Sequence, residues 1–233
     1  MKKFLTLALI AGMFLTAVGA ASAVDASSTP QILTGILNKM ENAHKQMKSL
    51  KAELIQQKVN PQIGSTDTDY GVLIYKPAAG KDKGKLRIDY TKPGVKVLSV
   101  IGENFTFYEP NLKQAMKSTV NKVSKGKTGA NLIGLDGSLK SLLNNYNVDL
   151  LSDAMVNGQM ASVLRLTPKS NGQYKVIDLW VNQQTALPMQ WKMTERNGDY
   201  TVVTLKNSQV NTNISDSAFV VNLPSGTKII DKF

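Results

Sequence analysis

The chain has 233 residues, with 28 Lys and Arg against 17 Asp and Glu, a formal net charge of +11, one His and no Cys. The lack of Cys excludes disulfides, thiolate metal sites, thiol nucleophiles and lipidation at a processed N-terminal Cys. The basic excess favours anionic surfaces, such as phospholipid headgroups, or an acidic partner protein.

The first segment reads as a targeting signal. Met1-Lys2-Lys3 is a basic start, residues 4–18 are apolar, and Ala21-Ser22-Ala23 is a small-residue cleavage site, the pattern of a secretory signal peptide. The apolar run is shorter than the ~20 residues of a spanning helix. Cleavage is expected to remove residues 1–23 and leave 24–233 as a single domain that begins at Val24. The mature chain is then expected in the periplasm, or outside a single-membrane cell, where nucleic acid is a poor partner.

Thr29-Pro30 offers an N-cap followed by Pro at the first helical position. Ile32, Leu33, Ile36, Leu37, Met40, Ala43, Met47 and Leu50 then keep a three- and four-residue spacing, which predicts an amphipathic helix with one apolar stripe. His44 sits at the border of that stripe, where a structural or solvated role is expected.

Residues 52–59 alternate as a strand, 61–68 read as a polar turn, and 70–76 as the next strand. In that strand Gly71, Leu73 and Tyr75 share one face, with Val72 and Ile74 on the other. Residues 78–85 form a basic loop. A three-strand meander follows: Leu86, Ile88 and Tyr90 alternate with Arg87 and Asp89. After the Lys92-Pro93-Gly94 turn comes a β-branched run over 95–101, and after a turn at Gly102 come Phe105 and Phe107, stopped by Pro110.

A strand is predicted over 116–123, then the composition changes. Residues 124–138 contain Gly126, Gly129, Gly134 and Gly137, which reads as a loop. Gly126-Lys127-Thr128 is not a phosphate loop, because Asn121 stands where a Walker motif needs Gly. A short helix is predicted over 139–145, with Leu142 and Leu143, and another turn over 148–155, together a glycine-flanked pair of short apolar helices. This insertion is either a lid or a cross-over covering a sheet edge. Strands resume over 161–168, 174–181, 187–195 and 200–210, with Asn197-Gly198 as a type I′ hairpin signal, and a last strand is expected over 219–223.

The predicted fold is therefore α+β and mostly antiparallel: one curled sheet of roughly ten or eleven strands, covered by an N-terminal helix and short lid helices. No G-x-S-x-G elbow, paired carboxylates or metal-ligand cluster is present. A binding protein without catalytic residues, metal or cofactor is expected, rather than an enzyme.

The order of several motifs resembles the LolA-type periplasmic carriers of outer-membrane lipoproteins. They are Lys76-Pro77; then Val97, Gly102, Tyr108, Pro110, Gln114 and Ala115; then 166–169 (LTPK) and 219–226 (FVVNLPSG). The resemblance implies a half-barrel enclosing a hydrophobic cavity and a role in carrying acylated lipoprotein. The cargo would come from an inner-membrane ATP-driven release complex and go to an outer-membrane receptor, by way of transient membrane-surface contact and as a monomer. It also implies lipid-binding positions at Ile36, Leu37, Met40, Leu73, Tyr75, Leu86, Ile88, Tyr90, Phe105, Phe107, Leu142 and Leu143. Lys76 falls where the family carries a lid-holding Arg. Lys lacks the planar donor fork of Arg, so a free lipid or glycolipid is an alternative cargo. A lipoprotein-sensing envelope-stress module is the other alternative.

Overall fold

The computed structural model describes residues 28–120 and 139–230. The expected leader and the glycine-rich segment at 124–138 lie outside the described residues. Helix α1 spans Ser28–Gln46 and a short α2 spans Leu139–Asn145; α1 ends before Met47, and Leu50, expected in its stripe, is instead the first residue of the next strand. Among the described residues, thirteen strands form a single open, curled sheet: β1 Leu50–Asn60, β2 Ser65–Lys76, β3 Lys85–Lys92, β4 Lys96–Ile101, β5 Asn104–Glu109, β6 Gln114–Thr119, β7 Tyr146–Leu150, β8 Ala154–Val156, β9 Gln159–Pro168, β10 Tyr174–Asn182, β11 Pro188–Glu195, β12 Tyr200–Val210 and β13 Lys228–Ile230. The order across the sheet is β13-β6-β5-β4-β3-β2-β1-β12-β11-β10-β9-β7, with β8 paired beside β9. All pairings are antiparallel except β13 with β6.

The sheet holds more strands than expected because β8 and β13, three residues each, are too short for a period-two signal, while β7 does alternate, Tyr146, Val148 and Leu150 against Asn147 and Asp149, but follows directly on α2. The turn expected over 148–155 is instead the end of strand β7, an irregular connection over 151–153 and strand β8. The turn expected over 61–68 ends at Gly64, and β2 begins at Ser65. The Asn197-Gly198 hairpin forms differently from type I′. Gly198 donates its N–H to the Glu195 carbonyl at 3.2 Å and alone takes a left-handed φ, +93°.

The strand expected over 219–223 is absent. In its place a 3-10 turn, Asp216–Phe219, leads into an irregular segment lying against the outer face of β3–β6. Phe219 is fully buried there, and Val221 and Leu223 pack on Val97, Tyr108 and Ala115. The backbone carbonyls of this segment are taken by side chains: Ser99 Oγ donates to Phe219, and Arg87 Nη1 donates to Ala218 and Val220. No ladder is needed to satisfy them.

Candidate lipid-binding site

The period of two decides which side chains face α1. Register pairs Leu73 with Ala52 and Ile88, Tyr75 with Leu50 and Leu86, and Ile88 with Leu98. These residues therefore share the concave face. The wall continues through β9–β12 as Leu164, Leu166, Ile177, Leu179, Trp191, Met193, Val203 and Leu205, all in one buried cluster.

Among the positions expected at the site, Leu37, Leu73, Tyr75, Leu86, Ile88 and Tyr90 belong to this cluster, while Ile36, Met40 and Leu142 are half-buried and pack against it. Phe105 is buried, and its pairing with Val100 places it on the same face; Phe107, opposite Leu98, is half-buried there. Leu143 does not join them. It is 40% exposed, because neighbouring residues on a helix lie on different faces and Leu142 takes the inward position. The second half of the wall, from Leu164 to Leu205, was missing from the expected site, although strands β9–β12 carry the same alternation.

Lys76 points to the face opposite Tyr75. Its Nζ donates to Asp216 Oδ1 at 2.9 Å, and Lys85 reaches Oδ2 of the same carboxylate at 2.7 Å. The residue at the expected lid position thus holds the C-terminal segment. The two ammonium groups pull the Asp216 carboxyl from its ordinary 3.8 down to about 2.

The helix covers the wall from above. The apolar stripe of α1 meets the cluster through Leu33, Ile36, Leu37 and Met40, and the helix lies close to α2 and β7. His44 approaches the Tyr75 hydroxyl at 3.5 Å. One end of the wall is polar. Tyr90 donates to Gln56 Oε1 at 3.0 Å, and Lys96 pairs with the buried Asp69 at 2.8 Å while lying 5.7 Å from the Tyr90 ring centre. Burial, and then the Asp69 charge, push the Tyr90 phenol well above its usual range. Tyr174 is pushed up to about 12 by burial, then by Glu195 and Tyr146. An apolar concave surface with half-buried roof residues can hold hydrocarbon, and its polar end favours a bound amphiphile in one orientation.

No helix among the described residues is long and apolar enough to cross a membrane. No curated protein matches the sequence. An uncharacterised conserved protein from Thermus thermophilus has the same fold at 11% identity and a TM-score of 0.56, over 87% of this chain and all of its own. MucB in the MucA/MucB complex of Pseudomonas aeruginosa matches at 13% identity and a TM-score of 0.49, over 81% of this chain and 60% of MucB. The Mycobacterium tuberculosis lipoprotein LppX matches at 10% identity and a TM-score of 0.47, over 79% of this chain and 98% of its own. The sequence itself matches the family of the outer membrane lipoprotein carrier protein LolA over residues 45–222, and the chain belongs to that family.

Proposed function

We propose that this protein is a periplasmic carrier that shields the acyl chains of lipoproteins between its concave sheet and α1 and ferries them from the inner to the outer membrane. The observation that carries the reading is the uninterrupted apolar wall roofed by an amphipathic helix whose Leu33, Ile36 and Met40 are only half-buried. Membership of the LolA family supports the same cargo class.

Each CH₂ group taken out of water contributes about 0.8 kcal/mol, so long acyl chains cannot cross an aqueous compartment unaided. Carrying them needs no covalent step, and this reading assigns the protein neither catalysis nor a cofactor. Transfer runs on small differences in affinity between successive binders. The carrier would accept cargo from an inner-membrane release complex and yield it to an outer-membrane receptor.

Native mass spectrometry of protein isolated from its own periplasm tests the reading. Co-purifying lipoprotein or acyl lipid is the expected result, together with an N-terminus at Val24. A ligand-free protein that fails to bind bis-ANS while folded would point to a closed core. A stable protein partner in place of lipid would favour the sensing module.

A further inference from the structure

Strand β12 keeps its pairing with β1 as far as Val210, but it pairs with β11 only from Tyr200 to Thr204. The sheet splits there for two visible reasons. Strand β11 begins at Pro188, which has no N–H to offer. Strand β12 bulges opposite Lys51–Glu53, with Asn207 at φ +51°. Beyond the split lies a cavity of about 510 Å³, within the range of about 300–1,000 Å³ common for ligand sites.

One wall is the backbone edge of β12 from Lys206 to Ser208, with exposed side chains. The other side of the lining comprises Asn157 of the β8–β9 turn, Gln159 at the start of β9, Asn182 at the end of β10 and Thr185 of the β10–β11 turn. That second wall is preorganised. Buried Asn182 accepts the N–H groups of Gln184 and Thr185, both at 2.8 Å, and donates to Gln159 Oε1 at 2.9 Å. On the β12 edge the Leu205 carbonyl already accepts from Asn157 Nδ2 at 3.2 Å, so a side-chain amide stands where a neighbouring strand would be. Leu205 belongs to the concave cluster, Leu187 packs against it, and both line the cavity, so the cleft borders the apolar wall.

We propose that this cleft receives an extended peptide, the segment that follows the acylated residue of a lipoprotein cargo, by strand addition to the edge of β12 from Lys206 to Val210, past the Leu205 carbonyl that Asn157 occupies. The assignment rests on the carrier reading and narrows it, since a free lipid has no main chain to place there. Main-chain hydrogen bonds supply sequence-independent affinity, which suits a carrier of many different lipoproteins. Lys206 is the one charged side chain of the lining, so neutral or acidic peptides are favoured over basic ones.

Three probes separate this proposal from the carrier reading: a tripalmitoylated cysteine bearing a neutral pentapeptide, dipalmitoyl phosphatidylglycerol, and the pentapeptide without acyl chains. Amide hydrogen exchange at 206–210 is expected to slow about tenfold or more with the lipopeptide but not with the phospholipid. Thr185→Trp, which fills the cleft from an exposed position, should weaken lipopeptide binding about tenfold while leaving phospholipid binding unchanged. Ser208→Trp repeats the test from the opposite wall. Equal lipopeptide affinity in both variants, with no slowing at 206–210, overturns the cleft assignment and leaves the carrier reading standing. Failure of both acylated probes to bind overturns the carrier reading and this assignment with it.

Discussion

Gly71 sits where β2 meets an irregularity in β3, and a Cβ built there would lie 2.5 Å from the Asp89 carbonyl oxygen. Backbone cannot yield as a flexible side chain can, so Gly71→Ala is expected to cost about 2–3 kcal/mol in a urea melt. An unchanged midpoint would show that β3 shifts freely. Two phenols on the same side of the sheet set the alkaline limit. Tyr174 rises from its ordinary 10.0 to about 12, and Tyr90 rises further. A phenol whose folded value is raised stabilises the fold fully below pH 10, and that contribution is lost as pH climbs through the folded value. The melting temperature should therefore fall between pH 10 and 12, and less steeply in Tyr174→Phe. Equal slopes in both proteins would remove Tyr174 from the account. At this scale the sequence was informative where a residue's face follows from parity, as for Leu86, Ile88 and Tyr90. It misled at Leu143, where a seven-residue helix leaves the inward face undetermined, and at Lys76, whose partner Asp216 lies 140 positions away.

Among the elements, the C-terminal segment behaves as a strap over the outer face. Its anchors are Arg87, Ser99 and the Lys76–Asp216–Lys85 cluster, with Phe219 as the buried plug. Alternation in 219–223 resembles a strand, because a segment packed flat on a sheet also buries every second residue. Only the position of its hydrogen-bond partners, on side chains from distant strands, distinguishes the two. Arg87→Gln should free the carbonyls of Ala218 and Val220 and lower stability by about 1–2 kcal/mol. Ligand or dye binding should persist, because Arg87 lies on the face opposite Leu86 and Ile88. Loss of binding without loss of stability would mean that the strap communicates with the concave side. Acid should loosen the same strap. The Asp216 carboxyl is lowered to about 2, so its attachment is complete above its ordinary 3.8 and is lost as pH falls towards 2. Arg87, Ser99 and the buried Phe219 still hold the strap, so proteolytic cleavage within 212–223 should accelerate only modestly over that window in the wild type, and Asp216→Asn should remove the pH dependence.

The molecule as a whole has a floor and a roof, and the roof is mixed in burial: Leu37 lies in the buried cluster, while Leu33, Ile36 and Met40 are half-buried. Ile88 in the floor is 2% exposed, whereas Met40 in the roof is only half-buried. Half-buried positions flank the stripe of any amphipathic helix, so substitution, and not burial alone, separates a closed core from a carrier. A carrier needs a rigid floor and a roof that can lift from it, and α1 meets the cluster through adaptable side chains such as Met40. A carboxylate at the two positions should therefore act differently. Ile88→Glu buries an unpaired charge among Leu73, Leu86 and Leu98 and is expected to cost about 3 kcal/mol or more, even to the point of unfolding. Met40→Glu can turn its carboxylate towards water and should cost within about 1 kcal/mol, yet it places charge at the mouth of the acyl site. A urea melt and a lipid-displacement titration on each variant decide the matter. The carrier architecture requires Met40→Glu to stay folded and lose most of its acyl-lipid affinity. If Met40→Glu unfolds as readily as Ile88→Glu, helix and sheet form one closed core. If it stays folded and binds normally, the acyl chains enter elsewhere than beneath α1.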